Sequence, residues 1–285
     1  MCDRNETKDA YYLPHLTWPE VDELRQRTDT AILPFGAIEQ HGPALPIGTD
    51  TLGVVAVSRA AAREAQVLCA PVLFPGLSAH HMHFPGTITL TEDTFCRVVI
   101  EAATSLIAHG FRRILLANGH GGNEATLTYL AHRITRETGG TAMVFGITEL
   151  RKIYLTAEID KLDIHAGIGE TSSMLYQQPQ LVRSDRIQQP KMTLDAWREA
   201  LLKRVRDDPA LLRYITLGLP PVHLISSNGC ITYGDPHKGS AARGKELFDA
   251  YVAAMVAFVR AWHTATGPAP GTAAPDGATG TSRRP

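Results

Sequence analysis

Arg113-Ile-Leu-Leu-Ala-Asn118-Gly-His-Gly-Gly-Asn123 begins as an apolar run and ends in a glycine-rich turn. No polar residue alternates with the apolar ones between Ile114 and Ala117. Such a run predicts an inner parallel strand covered on both faces. A helical pattern follows at once over 123–137. The same order repeats on either side. Upstream lie a strand at 30–35, an alanine-rich helix at 51–65 and a strand-like stretch, Gln66 to Phe74. A helix at 92–108 follows, with Phe95, Val98, Val99, Ala102 and Leu106 at helical spacing and Gly110 as its stop. Downstream, Thr141 to Phe145 reads as another buried strand. Alternating strands and helices predict an α/β fold: a three-layer α/β/α domain around a mostly parallel sheet.

The turns carry the chemistry. His120 sits at the apex of Asn118-Gly-His-Gly-Gly-Asn123, where glycines, Gly121 among them, let the backbone come close to a ligand. Such turns also bind phosphate. The dinucleotide pattern and the P-loop lysine are both missing, so a histidine here points to metal. The strand at 30–35 runs into Phe35-Gly-Ala-Ile-Glu39-Gln-His41-Gly-Pro-Ala-Leu-Pro-Ile-Gly-Thr-Asp50. Residues i and i+2 of an extended segment point the same way, so Glu39 and His41 can face one ion. Asp50, with two oxygens, can bridge a pair of metals roughly 3.5–4 Å apart. The loop leaves the end of a strand, where open α/β sheets bind ligands. A third cluster is Asp163-Ile-His165-Ala-Gly-Ile-Gly-Glu170-Thr-Ser. Its glutamate lies at a helix N-terminus, where the dipole keeps a carboxylate ionised. The plain alternatives are a solvated Glu39 with a stray histidine, and a capping Glu170 beside a surface His165. In His80-His-Met-His83, His81 and His83 are two apart with no carboxylate beside them in sequence. That segment reads as a loop lining the pocket mouth, in contact with substrate. Cys230 as a nucleophile would need a basic partner such as His237.

The chain has 285 residues, 44% of them hydrophobic, and a formal charge of −1. That balance gives no electrostatic reason to expect nucleic acid or an anionic membrane as a partner. Four scattered cysteines form no framework, and the polar first residues lack an apolar signal core. A reduced cytoplasm is the expected compartment. Residues 1–11 read as a flexible arm, 12–264 as one catalytic domain and 265–285 as a disordered tail. Thr17 caps a helix with Pro19 in its first turn. A charged helical stretch is expected near 193–207, a hairpin or loop at 225–236, and a last helix at about 240–263.

Taken together, the clusters resemble the creatininase family of metal-dependent amidohydrolases. The first matches its Gly-x-x-Glu-Gln-His-Gly-Pro-x-Leu-Pro-x-Gly-Thr-Asp pattern. Asn118-Gly-His-Gly-Gly-Asn123 and His165-Ala-Gly-x-Gly-Glu-Thr-Ser match in order and spacing. So do Phe84-Pro-Gly-Thr-Ile-Thr89 and Gly234-Asp-Pro236. The likeness runs from about Leu16 to about His263.

The resemblance implies two divalent metal ions, zinc, manganese or iron. Glu39, Asp50 and His120 would hold one, and His41 with the bridging Asp50 the other. Creatininases carry a glutamate ligand two residues after the loop histidine. Gly122 stands there in this chain, and Glu170 is assigned the missing place. The resemblance further implies hydrolysis of a C–N amide bond by metal-activated water. His165 would shuttle the proton, Glu170 would be a ligand or a general base, and Ser78 would touch substrate. Creatininases also enclose their ring with tryptophans just before the third cluster. This chain has Trp18, Trp197 and Trp262 and none in 148–168. Chains with the Gly-Gly loop are similar to formamide deformylases and to the peptidase that trims the mycofactocin precursor. The expected substrate is therefore a small lactam or formamide. A modified peptide and a non-catalytic, metal-stabilised role are the alternatives. Members of the family form homo-oligomers, often hexamers.

Overall fold

At the centre of the protein lies a four-stranded parallel sheet, described in a computed structural model that covers residues 8–146, 163–195, 199–201, 203–204 and 220–266. Its strands are β1 (Thr30–Phe35), β2 (Leu68–Cys69), β3 (Arg113–Asn118) and β4 (Thr141–Gly146), in the order β2-β1-β3-β4. Every residue of β1 and β3 is buried. Successive side chains point to opposite faces. Ile114 and Leu116 therefore join Leu33 and Phe35 in one apolar layer, while Leu115 and Ala117 join Ile32 in the other. A buried leucine or isoleucine contributes about 1.5–3 kcal/mol, which is why these runs tolerate no alternation.

Helices α1 (Trp18–Arg25), α3 (Glu92–Ala108) and α4 (Glu124–Glu137) cover the first layer, through Leu24, Phe95, Val99 and Leu130 among others. Helices α2 (Thr49–Ala65) and α6 (Ala241–Thr266) cover the second, through Val54, Val57, Met255 and Val259. The chain steps outward from β1 to β2 through α2 on one face. It returns past β1 to β3 through α3 on the other. The strand order thus reverses between β1 and β3, and the crevice beyond their carboxyl ends is where open α/β sheets take ligands. Glu39 and His41 leave β1 there, and His120 leaves β3.

A second, antiparallel pair joins β5 (Asp163–His165) to β6 (Ile231–Thr232) and leads into helix α5 (Ile168–Gln177), which packs on α6. The Asp163 carboxylate accepts from the backbone N–H of Ile168 at 3.0 Å and of Gly169 at 2.7 Å, capping α5. Gly167 is required at that corner, because a Cβ there would lie 1.5 Å from Asp163 Oδ1.

Several boundaries differ from the sequence expectations. The strand expected over 66–74 pairs as β2 only at Leu68–Cys69. Ala70 N–H still reaches the Ile32 carbonyl at 2.8 Å, but the next donor to β1 is Leu73, to the Pro34 carbonyl at 2.9 Å, so the pairing slips by one residue between them. Helix α2 begins at Thr49, so Asp50 stands in its first turn rather than on the loop, and Leu52 N–H closes on the Gly48 carbonyl at 2.8 Å. The arm expected to be flexible is tied down from residue 8 onward. Asp9 is buried and bonded by Arg59 and Arg63, and Tyr11 accepts from Cys69 N–H at 2.7 Å. Residues 1–7, most of the stretch expected to be helical near 193–207, and the tail from 267 lie outside the described residues. No helix among the described residues is long and apolar enough to cross a membrane.

Candidate metal centre

Two asparagines shape the β3 turn. Asn118 accepts from His120 N–H at 3.1 Å and donates to the His120 carbonyl at 2.8 Å. Asn123 donates to the Gly36 carbonyl at 3.1 Å and accepts from Leu77 N–H at 2.9 Å. The exits of β1 and β3 and the loop at 76–78 are thereby pinned to one another. Six of the residues singled out in the sequence meet beyond them: Glu39, His41, Asp50, His120, His165 and Glu170, all buried.

Asp50 is the hinge of the group. His41 Nε2 lies 3.2 Å from Asp50 Oδ1, and His120 Nδ1 lies 3.1 Å from Asp50 Oδ2. The second nitrogen of each ring faces a backbone carbonyl: His41 Nδ1 that of Glu39 at 3.1 Å, and His120 Nε2 that of Leu77 at 3.1 Å. Those carbonyls take a ring proton, which fixes the tautomers as in metal-binding histidines. Neutral rings held this way would turn the lone pairs of His41 Nε2 and His120 Nδ1 toward the same carboxylate, with room for a cation in place of the protons. Glu39 Oε2 stands 3.3 Å from His120 Nε2, and Glu170 Oε2 stands 3.7 Å from His41 Nε2. Glu170 is held by Ala166 N–H at 2.6 Å.

The electrostatics agree. Glu39 Oε2, His41 Nε2 and Asp50 Oδ2 are buried without a hydrogen-bond partner among the described residues, a costly state for groups that have no ion to hold. Burial works to lower the His41 pKa, but Asp50 and then Glu170 outweigh it and push it up to about 10. Burial is likewise overcome at His120 by Glu39 and Asp50, which raise it to about 9. Glu39 is raised to about 7, by burial first, against the pull of His120. Asp50 stays well below the carboxylate range in spite of burial, because His41 and His120 flank it. The cluster is a pocket of buried negative charge that gathers positive charge. Glu39, His41 and Asp50 bring ligand atoms within 4.8 Å of one another, and so do His41, His165 and Glu170. Mixed nitrogen and oxygen donors in this arrangement fit divalent cations.

Other predicted residues fall differently. His81 was expected at the pocket mouth with no carboxylate beside it. It is 2% exposed, and its Nε2 lies 3.4 Å from Glu39 Oε1. The 3-10 turn Ala79–His81 swings it inward, a closeness across 42 positions that local sequence does not reveal. His80 stacks on His120, its ring centroid 5.9 Å away, and forms a further possible ligand group with Glu39 and His120. His83 is exposed and stacks on His223 at 4.0 Å. Ser78 is fully buried against the Glu39 carboxylate. A Cβ on Gly121 would meet open space, whereas one on Gly122 would lie 2.4 Å from both His120 Nε2 and the Leu77 carbonyl. The ring of His120 thus fills the space beside Gly122, and Glu170 sits on the His41 side of the cluster. Cys230 is buried, which pushes its thiol up to about 11, while His237 is exposed and bonded to Asp235. A nucleophilic pair of the two is not supported. Gln40, unremarked in the sequence reading, contacts both His81 and His165. An open depression lined by Thr49, Asp50, Glu170, Met174 and Tyr251 among others reaches the carboxylates from the α2, α5 and α6 side. The tryptophan-poor stretch 148–168 is described only from Asp163 onward.

Known proteins share this plan. The mycofactocin precursor peptide peptidase of Mycobacterium tuberculosis is 30% identical over 250 residues, which span 84% of this chain and 88% of that one. The creatinine amidohydrolase of Pseudomonas putida is 31% identical over 201 residues, 62% of this chain and 76% of that one. A solved mutant creatininase described as Zn-Zn type superposes with a TM-score of 0.71 at 24% identity, covering 92% of this chain and 100% of that one. The sequence profile described as creatinine amidohydrolase matches residues 14–259. With nearly the whole described domain inside that match, this chain belongs to the creatininase family of hydrolases.

Proposed function

We propose that the protein is a metal-dependent hydrolase that cleaves the C–N bond of a small cyclic amide or formamide. The observation that carries this reading is Asp50, with one oxygen facing His41 Nε2 and the other His120 Nδ1. Glu39, Asp50 and His120 would hold one divalent cation, and His41, Asp50 and Glu170 a second. Zinc, manganese and iron all suit these donors. When bound, such a pair supplies Lewis acidity and lowers the pKa of water. The chain's own groups do the rest. Burial pushes the His165 pKa down, so the ring rests neutral with a lone pair able to accept a proton. Its place beside Glu39 and Glu170 suits it to pass that proton to the leaving nitrogen. Ser78, buried against Glu39, would act on substrate through that carboxylate.

The M. tuberculosis relative favours a second reading, a peptidase acting on a modified peptide. Exposed Met82 and Ile88, near the inward-turned His81, offer an apolar rim to an extended chain. A hydrolysis screen of zinc- and manganese-loaded protein over lactams, formamides and short peptides separates the two. Chelator-sensitive turnover of the small amides is the expected result. Turnover of peptides alone selects the peptidase. At most one bound ion, with no turnover of any of these, would select the non-catalytic alternative.

A further inference from the structure

Gln40 sits in a hydrogen-bond network that the cation ligands do not account for. Its amide oxygen accepts from Gly42 N–H at 2.9 Å, and its amide nitrogen donates to the Gly229 carbonyl at 3.2 Å. A backbone N–H only donates and a backbone carbonyl only accepts. Both ends of the amide are thereby fixed, and the nitrogen is the end that faces the histidines. It lies 2.8 Å from His81 Nδ1 and 3.0 Å from His165 Nε2. His165 Nε2 also lies 2.6 Å from the carbonyl oxygen of Gln40 itself. Two lone pairs repel at that distance, so His165 Nε2 carries a proton and donates it to that carbonyl. The Gln40 amide has two hydrogens. One goes to Gly229, and the acceptor left for the other is His81 Nδ1. The proton of a neutral His81 ring must then sit on Nε2, 3.4 Å from Glu39 Oε1.

We propose that Gln40 is a positioning residue that locks His81 and His165 with opposite polarity toward the pocket: His81 turns an N–H inward, and His165 turns its unprotonated Nδ1 inward. His81 lies within ligand distance of Glu39 and His165, yet it has no lone pair to offer at that end. It faces Glu39 Oε1 as a donor and leaves Oε2, which has no hydrogen-bond partner among the described residues, as the oxygen for a cation. His165 Nδ1, 3.7 Å from Glu39 Oε1, is the acceptor of the pair. The assignment holds whichever amide is cleaved.

Long-range 1H–15N correlation spectra of protein labelled at histidine and loaded with diamagnetic Zn²⁺ read these protons directly. The His81→Gln variant identifies the His81 signals by their loss. The expected wild-type pattern has His81 Nε2 in the N–H range and Nδ1 in the lone-pair range, with His165 Nε2 protonated. A Gln40→Glu variant presents only acceptor oxygens to His81, so His81 Nδ1 should move into the N–H range. Three outcomes overturn the proposal: a wild-type His81 protonated on Nδ1, a His81 Nε2 shifted as a zinc-bound nitrogen, or a folded Gln40→Glu protein whose His81 pattern is unchanged. Should that variant fail to fold, the wild-type spectrum alone decides. The readout is the place of a proton, so its failure is distinct from failure of the proposed activity.

Discussion

Glu39 and Gly122 show how much of this centre depends on single atoms. Glu39 offers the cluster a buried Oε2 that has no hydrogen-bond partner among the described residues. Glu39→Gln replaces one carboxylate oxygen with an NH2 group, a donor that cannot ligate. Loss of an outer-shell partner costs about 10–100-fold in metal affinity or activity, so loss of a proposed ligand should cost at least about 100-fold. Metal analysis after gel filtration, read beside turnover, checks this; full metal content in the variant would remove Glu39 from the ligand set. Gly122 makes the opposite point, because here the missing side chain matters. A Cβ at 122 would press on His120 Nε2 and on the Leu77 carbonyl, a backbone atom that cannot swing aside. Gly122→Ala should therefore destabilise by about 1–3 kcal/mol, as overpacking does, and should lower metal content as well. Thermal melts and metal analysis test it. For the same reason, a glutamate grafted at 122 would not by itself recreate a creatininase ligand.

The tether before α1 allows a prediction from pH. Burial works to raise the Asp9 pKa, but the Tyr11 N–H and the Arg59 and Arg63 guanidinium groups outweigh it and hold Asp9 below the carboxylate range. A folded pKa below the unfolded value of about 3.9 means stability that is complete above that value and lost as pH falls through the folded pKa. Asp9→Asn should cost about 1–2 kcal/mol at pH 7, within the span of charged hydrogen bonds. The gap from wild type should narrow below about pH 4. Urea unfolding of both proteins at pH 7 and pH 3 reads it, and equal stability at pH 7 would remove Asp9 as a tether. The sequence hid this contact because Asp9 and Arg59 lie 50 positions apart. Other elements were plain. The unbroken apolar run of β3 and the helical spacing of α3 determine their structure locally, and both were read with their limits nearly right. Boundaries that depend on register were not legible: β2 slips by one residue between Ala70 and Leu73, and α2 starts two residues early, after Gly48. Glu39, His41, Asp50 and His120 could be picked out because carboxylates and imidazoles announce their chemistry. Gln40 could not, since an amide reveals its partners only once the chain is folded.

Across the molecule the centre draws on two separate pieces of structure. Glu39, His41, Asp50 and His120 come from the exits of β1 and β3 and the first turn of α2, all set on the parallel sheet. His165 and Glu170 come from the β5–β6 ribbon and α5, which lean on α6 outside that sheet. The two ligand groups approach each other at 3.7 Å, from His41 Nε2 to Glu170 Oε2 and from His165 Nδ1 to Glu39 Oε1. A cation shared there would act as a rivet between a rigid plate and a lighter flap. Drawing the rivet with a chelator should let amide protons of residues 163–177 exchange with deuterium faster, while those of β1 and β3 keep their protection. Uniform exchange in both states would mean that packing and the hydrogen bonds through Gln40 hold the flap without the cation. If the rivet is real, metal supply governs how long this flap survives a protease, and a cell short of the ion would lose the protein by clipping as well as by idleness.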